Sequence, residues 1–162
     1  MPRKSTRKPR KSTRKPRKST RKPRKSTRNT TRNSSSGGKI HVKLTKSSKA
    51  GKKWTVVIDG KKTIHFGQSG ASDYTIHKDA ERMVRYVRRH GGRVPAGVAS
   101  GNMSNAQIKE KMKNVNTSSK ENWGIGGVKS AGFWSRWLLW SMPSIASAKS
   151  LIRSKFPKIV FK

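Results

Sequence analysis

The stretch Trp54-Thr55-Val56-Val57-Ile58-Asp59-Gly60-Lys61-Lys62-Thr63-Ile64-His65-Phe66 decides the fold class of this chain. Trp54 to Ile58 and Lys61 to Phe66 are rich in β-branched and aromatic residues, which pack well on a pleated surface. They flank Asp59-Gly60, a pair that favours a two-residue hairpin turn because both central residues take positive φ. Upstream, Ile40, Val42 and Leu44 alternate with His41, Lys43 and Thr45, the period-two pattern of a half-buried strand. Lys46 to Gly51 reads as the intervening turn. Together these segments predict a three-stranded antiparallel meander with one apolar face to cover.

Downstream of the loop Gly67 to Tyr74, a helix is expected to cover that face. Asp79 is a good N-cap and Gly91 a good C-cap for a helix of about 11 residues. Ala80, Met83, Val84, Val87 and His90 share one side of its wheel, and Arg82, Arg85, Arg88 and Arg89 share the other. The basic side is either a solvated face or a phosphate-contacting surface, and Arg82, Arg85 and Arg89 are its candidate contacts.

Arg93 to Ser119 reads as a long insertion, with one marginal helix where Ser104 and Gln107 match a capping box ahead of Ile108, Met112 and Val115. The chain then becomes apolar: Trp123, Phe133, Trp134, Trp137, Leu138 and Trp140 lie in 18 residues. Phe133, Trp137 and Trp140 fall in a helical stripe, with Trp134 and Leu138 beside it. That spacing favours core packing, although Arg136 between two tryptophans also fits a stacking platform for single-stranded nucleic acid. Pro143 ends this helix, and Ser144 starts another with Ile145, Ala148, Ile152 and Phe156 at core spacing. Lys158 to Phe161 is a candidate short edge strand. The expected architecture is α+β: a small three-stranded antiparallel sheet packed against three or four helices, spanning residues 39–162, with the insertion at about 93–119.

Residues 1–38 have a different composition. Pro-Arg-Lys-Ser-Thr-Arg-Lys begins at Pro2 and recurs at Pro9, Pro16 and Pro23, the last copy ending in Asn29; Asn29 to Gly38 then reads as a flexible linker. The period is seven, but no position is apolar and each copy opens with a helix-breaking proline, so it is not a coiled-coil heptad. Sixteen of the chain's 41 Lys and Arg lie between Arg3 and Arg32 with no acidic residue among them, which predicts a disordered, extended tail. Its candidate nucleic-acid contacts are Arg3, Lys4, Arg7, Lys8, Arg10, Lys11, Arg14, Lys15, Arg17, Lys18, Arg21, Lys22, Arg24, Lys25 and Arg28.

One basic cluster suffices for nuclear import or for a solvated tail, whereas four copies multiply contacts along a long polyanion. At ~3.1 Å per residue, a copy covers ~22 Å with four positive charges, against one phosphate per ~1.7 Å of duplex. Such a tail neutralises part of a DNA backbone without a scaffold from which to read bases, so sequence-independent binding is expected. The basic flanks make Ser5, Ser12, Ser19 and Ser26 candidate phosphorylation sites; unmodified hydroxyls that bond DNA phosphates are the alternative.

The net charge of +35 is not confined to the tail, since residues beyond Gly38 hold 25 Lys and Arg against six Asp and Glu. Polyanion binding is the default for the whole molecule. Without cysteine there is no disulfide framework and no thiolate metal site. The apolar run Phe133 to Trp140, interrupted by Arg136, is far short of the ~20 residues that cross a bilayer, and a basic N-terminus with no apolar segment behind it is not a signal peptide. A soluble protein, intracellular or packaged inside a particle, is expected.

Four histidines and six acids are thin material for catalysis. His65, His77, Asp79 and His90 could converge near the sheet end, and Asp73 with Asp79 could hold a divalent ion, but the spacings match no metal motif. His77-Lys78-Asp79 is contiguous, unlike the spaced motif of phospholipase-like phosphodiesterases. Gly124, Gly126 and Gly127 precede Lys129 and Ser130, but Val128 stands where a phosphate-cradling loop needs glycine before the lysine; tight packing before the Trp helix explains them better. No catalytic residue, metal or cofactor is expected.

His65-Phe66-Gly67, Ser72-Asp73-Tyr74-Thr75, His77-Lys78-Asp79, Arg82, Tyr86, Arg89-His90, Glu121-Asn122-Trp123, Ala131-Gly132-Phe133-Trp134-Ser135-Arg136-Trp137-Leu138-Leu139-Trp140 and Pro143 carry a resemblance. In this order they resemble a family of small basic proteins of unknown function from large double-stranded DNA viruses of algae and protists, of the phycodnavirus and mimivirus kind. The resemblance spans roughly residues 52–157 and leaves out the insertion and the repeat tail. It implies a viral origin and names no activity. Combined with the tail, it gives the expectation of a virion protein that contacts or condenses genomic double-stranded DNA, found in the virion and in the host nucleus or cytoplasm during infection. The alternative is a minor virion structural protein whose globular domain binds a capsid or other virion protein; a nuclease is a third reading.

Overall fold

A computed structural model describes residues 38–99 and 102–162. The tail contacts Arg3 to Arg28 and the four tail serines lie outside the described residues. The first three strands are β1 (Ile40–Lys46), β2 (Lys52–Ile58) and β3 (Lys62–Gln68). The hairpin forms at Asp59-Gly60, with φ of 49° and 68° at these residues, but its loop is longer than the two residues expected: Ile58 stands opposite Lys62, which leaves Asp59, Gly60 and Lys61 between the strands. Asp59 also ties the turn to β1: its backbone N–H donates to the His41 carbonyl at 2.8 Å, and its carboxylate accepts from the His41 N–H at 2.8 Å.

The helical part comprises α1 (Tyr74–His77), α2 (Ala80–Arg89), α3 (Ala96–Ala99), α4 (Asn105–Met112), α5 (Ala131–Trp134), which runs on into a wider π turn (Ser135–Leu139), and α6 (Ile145–Lys155). Among the described residues six helices stand where three or four were expected, the excess being single turns such as α1 and α3. Asp79 caps α2 by accepting from the Glu81 and Arg82 N–H groups at 2.9 and 3.1 Å, and Gly91 follows its end at φ 77°. The Ser104–Gln107 capping box opens α4. Ser144 caps α6, accepting from the Ser147 N–H at 3.1 Å.

The sheet is four-stranded and mixed, not a three-stranded antiparallel meander. Its order is β3-β2-β1-β4, and β4 (Ile159–Phe161) runs parallel to β1 with Ile159 opposite Ile40. An uncovered β1 would leave a row of unpaired backbone groups at the sheet edge. The chain leaving α6 supplies their partners: the Ile40 N–H donates to the Lys158 carbonyl at 2.7 Å and the Lys162 N–H to the Val42 carbonyl at 2.9 Å.

The apolar face carries Val42, Val56, Ile58, Ile64 and Phe66, all buried. The elements that cover it are α5 with its π turn and α6, through Phe133, Trp134, Trp137, Leu138, Leu139, Ala148 and Ile152. The expectation that α2 does this is overturned. Met83, Val84, Tyr86 and Val87 of α2 instead join Ile108, Met112, Val115 and Trp123 in a second apolar cluster. The indole and phenyl groups of residues 133–137 offer far more apolar area to the sheet than α2's aliphatic stripe. The stripe of α2 is thus buried against Ile108, Met112 and Val115 of the 93–119 segment. Trp140, half-buried, packs on both clusters.

Candidate functional site

Two features of the described residues bear on function: the outer face of α2, and a cleft where the two apolar clusters meet. On the outer face, Arg82, Arg85, Arg88 and Arg89 are all exposed. Arg85 lies 3.6 Å from Glu81 and 3.9 Å from Asp79, so part of its charge is engaged within the helix. Arg82, Arg88 and Arg89 form no ion pair among the described residues. The helix therefore offers solvent three unneutralised guanidinium groups, on a face fixed by the burial of its opposite side.

The cleft encloses about 390 Å³ between the Lys52 end of the sheet, the C-terminal end of α2 and the start of α5. Its two carboxylates are each held from within. Asp73, 3% exposed, pairs with the Lys53 ammonium at 2.6 Å and accepts from the Thr75 N–H and hydroxyl at 3.0 and 2.6 Å. Lys53 donates as well to the Ala71 carbonyl. Glu121 accepts from His90 Nδ1 at 2.6 Å and from the Trp123 indole N–H at 2.9 Å. Ser118 fixes this second group: its hydroxyl accepts from the Lys120 and Glu121 N–H groups at 3.0 Å and donates to the His90 carbonyl. The cations left over at the cleft are Lys52 and Arg89, both exposed.

Three aromatic rings lie beside one another at the cleft. Tyr86 lies between His90, at 4.2 Å between ring centroids, and Trp140, stacked at 4.3 Å and 2°. Burial, and then the Glu121 carboxylate, raise the Tyr86 phenol well above its ordinary range, so it is a neutral hydrogen-bonding group at physiological pH. Backbone packs closely where side chains would not fit. A Cβ on Gly132 would collide with the Glu121 carboxylate, and one on Gly67, at φ 71°, would come within 2.7 Å of Leu139 Cδ1.

The histidines and acids considered as metal ligands go elsewhere. His65 Nδ1 lies 2.9 Å from both the Ser47 and Thr55 hydroxyls, Asp79 caps α2, and Asp73 pairs with Lys53. His77 Nδ1 accepts from the Asp79 N–H at 2.9 Å, and burial, followed by the charge of Arg82, lowers its pKa. Among the described residues no three His, Asp or Glu gather into a metal-binding group. Gly127 is needed for packing, because a Cβ there would strike the Asn122 carbonyl.

Trp134 and Trp137, with Arg136 between them, are not a stacking platform. Trp123, Trp134 and Trp137 are at most 1% exposed, and Arg136, between Trp134 and Trp137, is fully buried. Sequence reasoning missed Lys52, Lys53 and Glu121 as neighbours of Tyr86, Arg89 and His90. The signal lay in the ordered motifs of the resemblance: Phe66-Gly67, Ser72-Asp73, Tyr86, Arg89-His90, Glu121 and Ala131-Gly132 all border the cleft. Among the described residues no helix is long and apolar enough to cross a membrane. No curated protein and no solved structure matches the chain. Residues 42–90, from β1 to the end of α2, are similar to a family of unknown function (DUF5754).

Proposed function

We propose that this is a non-enzymatic, sequence-independent nucleic-acid-binding protein, packaged in a virion, that contacts or condenses genomic double-stranded DNA through its Lys/Arg repeat tail. The observation that carries the reading is the placement of charge: sixteen Lys and Arg without a single acid between Arg3 and Arg32, within a net of +35. Such a segment binds phosphates by releasing their counterions, which is insensitive to base sequence. The exposed Arg82, Arg88 and Arg89 add a fixed basic surface on the folded part. Viral origin and virion localisation rest on the motif resemblance.

The test is a salt titration of affinity for duplex DNA. The log–log slope is about −0.9 per phosphate neutralised, and a chain lacking residues 1–33 is expected to lose most of it. Equal slopes for the full and shortened chains would remove the tail from its role. Strong dependence on base sequence would contradict backbone binding.

A further inference from the structure

We propose that the cleft beside α2 is a binding site for a single nucleotide, either free or as an unpaired residue of a strand. The proposal rests on the nucleic-acid reading only for the class of ligand, since the residues that line the cleft lie within 52–140. The cavity, about 390 Å³, is far larger than a phosphate and falls in the size range of sites for small organic ligands. Its charge points to an anion. Asp73 is neutralised by Lys53, and Glu121 is engaged by His90 and the Trp123 indole, so Lys52 and Arg89 are left without an acidic partner. Those two cations suit the phosphate. The half-buried indole of Trp140 is the aromatic surface that suits the base, while Phe66, Leu139 and Tyr86 are buried in the cleft's backing.

Glu121 has a second use in such a site. Each of its oxygens accepts one hydrogen bond in the structure, which leaves acceptor capacity for a donor on the ligand. The lining of the cleft is closely packed behind the opening. Glycine at 67 and 132 keeps side chains off the wall where Leu139 and Glu121 already press against the backbone. A duplex, whose bases are stacked and paired, cannot enter a cavity of this size, so this site and the tail serve different states of nucleic acid.

The experiment is an amide and indole NMR titration of the isotope-labelled full chain with adenosine monophosphate, inorganic phosphate, a short single strand and a short duplex. Adenosine monophosphate or the single strand is expected to shift the amides of Gly67, Gly132 and Ser135 and the Trp140 indole; a response to one of the two tells free nucleotide from strand. Inorganic phosphate and duplex are expected to leave the Trp140 indole in place. The Ala71→Trp chain, filled at an exposed position on the cleft with no change of charge, is expected to lose those shifts. Cleft resonances unmoved by both nucleotide probes, or moved equally in the filled variant, overturn the proposal. Duplex affinity of the unaltered chain, measured alongside, reports on the tail reading separately.

Discussion

The guanidinium of Arg136 donates through Nη2 to the Met112 carbonyl at 2.7 Å, joining the helix that covers the sheet to the end of α4. Nη2 also reaches the Val115 carbonyl at 3.0 Å, and Nη1 the Trp140 carbonyl at 2.7 Å. The side chain is fully buried, and burial lowers its pKa to about 10. Among the described residues it has no carboxylate partner; three carbonyls replace water at Nη1 and Nη2, the face of Trp137 lies 4.6 Å from its Cζ, and Nε is buried without a hydrogen-bond partner.

Removing this group strands its acceptors. Arg136→Ala leaves three carbonyls without that donor and opens a cavity, and at ~1–3 kcal/mol per unsatisfied buried group the loss is expected to exceed ~3 kcal/mol. Arg136→Lys is expected to recover only part of it, because one ammonium cannot span the carbonyls that the planar fork reaches. Urea unfolding followed by tryptophan fluorescence checks both. A lysine variant as stable as the parent would mean that the fork geometry is unimportant.

Tyr86 gives a prediction in the alkaline range. Its folded pKa is raised above the unfolded value near 10, so its neutral form is favoured in the fold. That contribution is fully present below pH ~10 and is lost as pH rises beyond it, since the unfolded chain then gives up a proton that the folded chain holds. Stability of the parent is therefore expected to fall more steeply above pH 10 than that of Tyr86→Phe. Parallel urea midpoints for the two chains from pH 9 to 11 would show that Tyr86 is not the group responsible.

The hairpin, the α2 cap and the α4 capping box were legible because each is a local arrangement of a few residues: Asp59-Gly60, Asp79, and Ser104 with Gln107. What covers what was not. The wheel of α2 shows an apolar stripe, but the stripe does not say whether its partner is the sheet or Met112 and Trp123. The parallel pairing of Ile159 with Ile40 joins residues more than a hundred positions apart, and three apolar residues after Pro157 carry no register. Periodicity also failed over Ser135–Leu139, where the wider turn buries Arg136, Trp137, Leu138 and Leu139 together. A one-sided stripe on a 3.6-residue wheel does not place four consecutive residues inside. Spacing alone does not assemble the cleft either, since His90 and Glu121 meet across 31 positions, although the motifs of the resemblance name much of its lining.

The repeat tail is expected to be a charge switch. Phosphorylation of Ser5, Ser12, Ser19 and Ser26 adds ~1.5 to 2 negative charges at each site, which offsets up to about half of the sixteen positive ones. Duplex affinity at fixed salt is expected to drop by at least ~10-fold, with a shallower salt slope, as fewer phosphates are neutralised. The measurement compares a tail peptide phosphorylated at all four serines with its unmodified form. Equal binding would leave the serines as plain hydrogen-bonding hydroxyls.

The last prediction concerns the two tryptophans that flank Arg136. A regular helix sets Trp137 in the core stripe and Trp134 at its flank, and so makes Trp137→Ala the costlier change. The structure removes that distinction: both are 0% exposed, and both indoles donate to buried carbonyls, Trp134 to Val128 at 2.7 Å and Trp137 to Trp123 at 2.8 Å. Each alanine variant is expected to lose ~3–5 kcal/mol, a large part of the stability of a domain this size. Trp→Phe at either site keeps most of the ring but leaves a carbonyl unpaired, so it is expected to cost less than alanine yet remain measurable. Thermal melts of the four variants decide the matter. A Trp134→Ala chain that melts with the parent while Trp137→Ala unfolds would restore the flank assignment, and with it a regular helix through Ser135–Leu139.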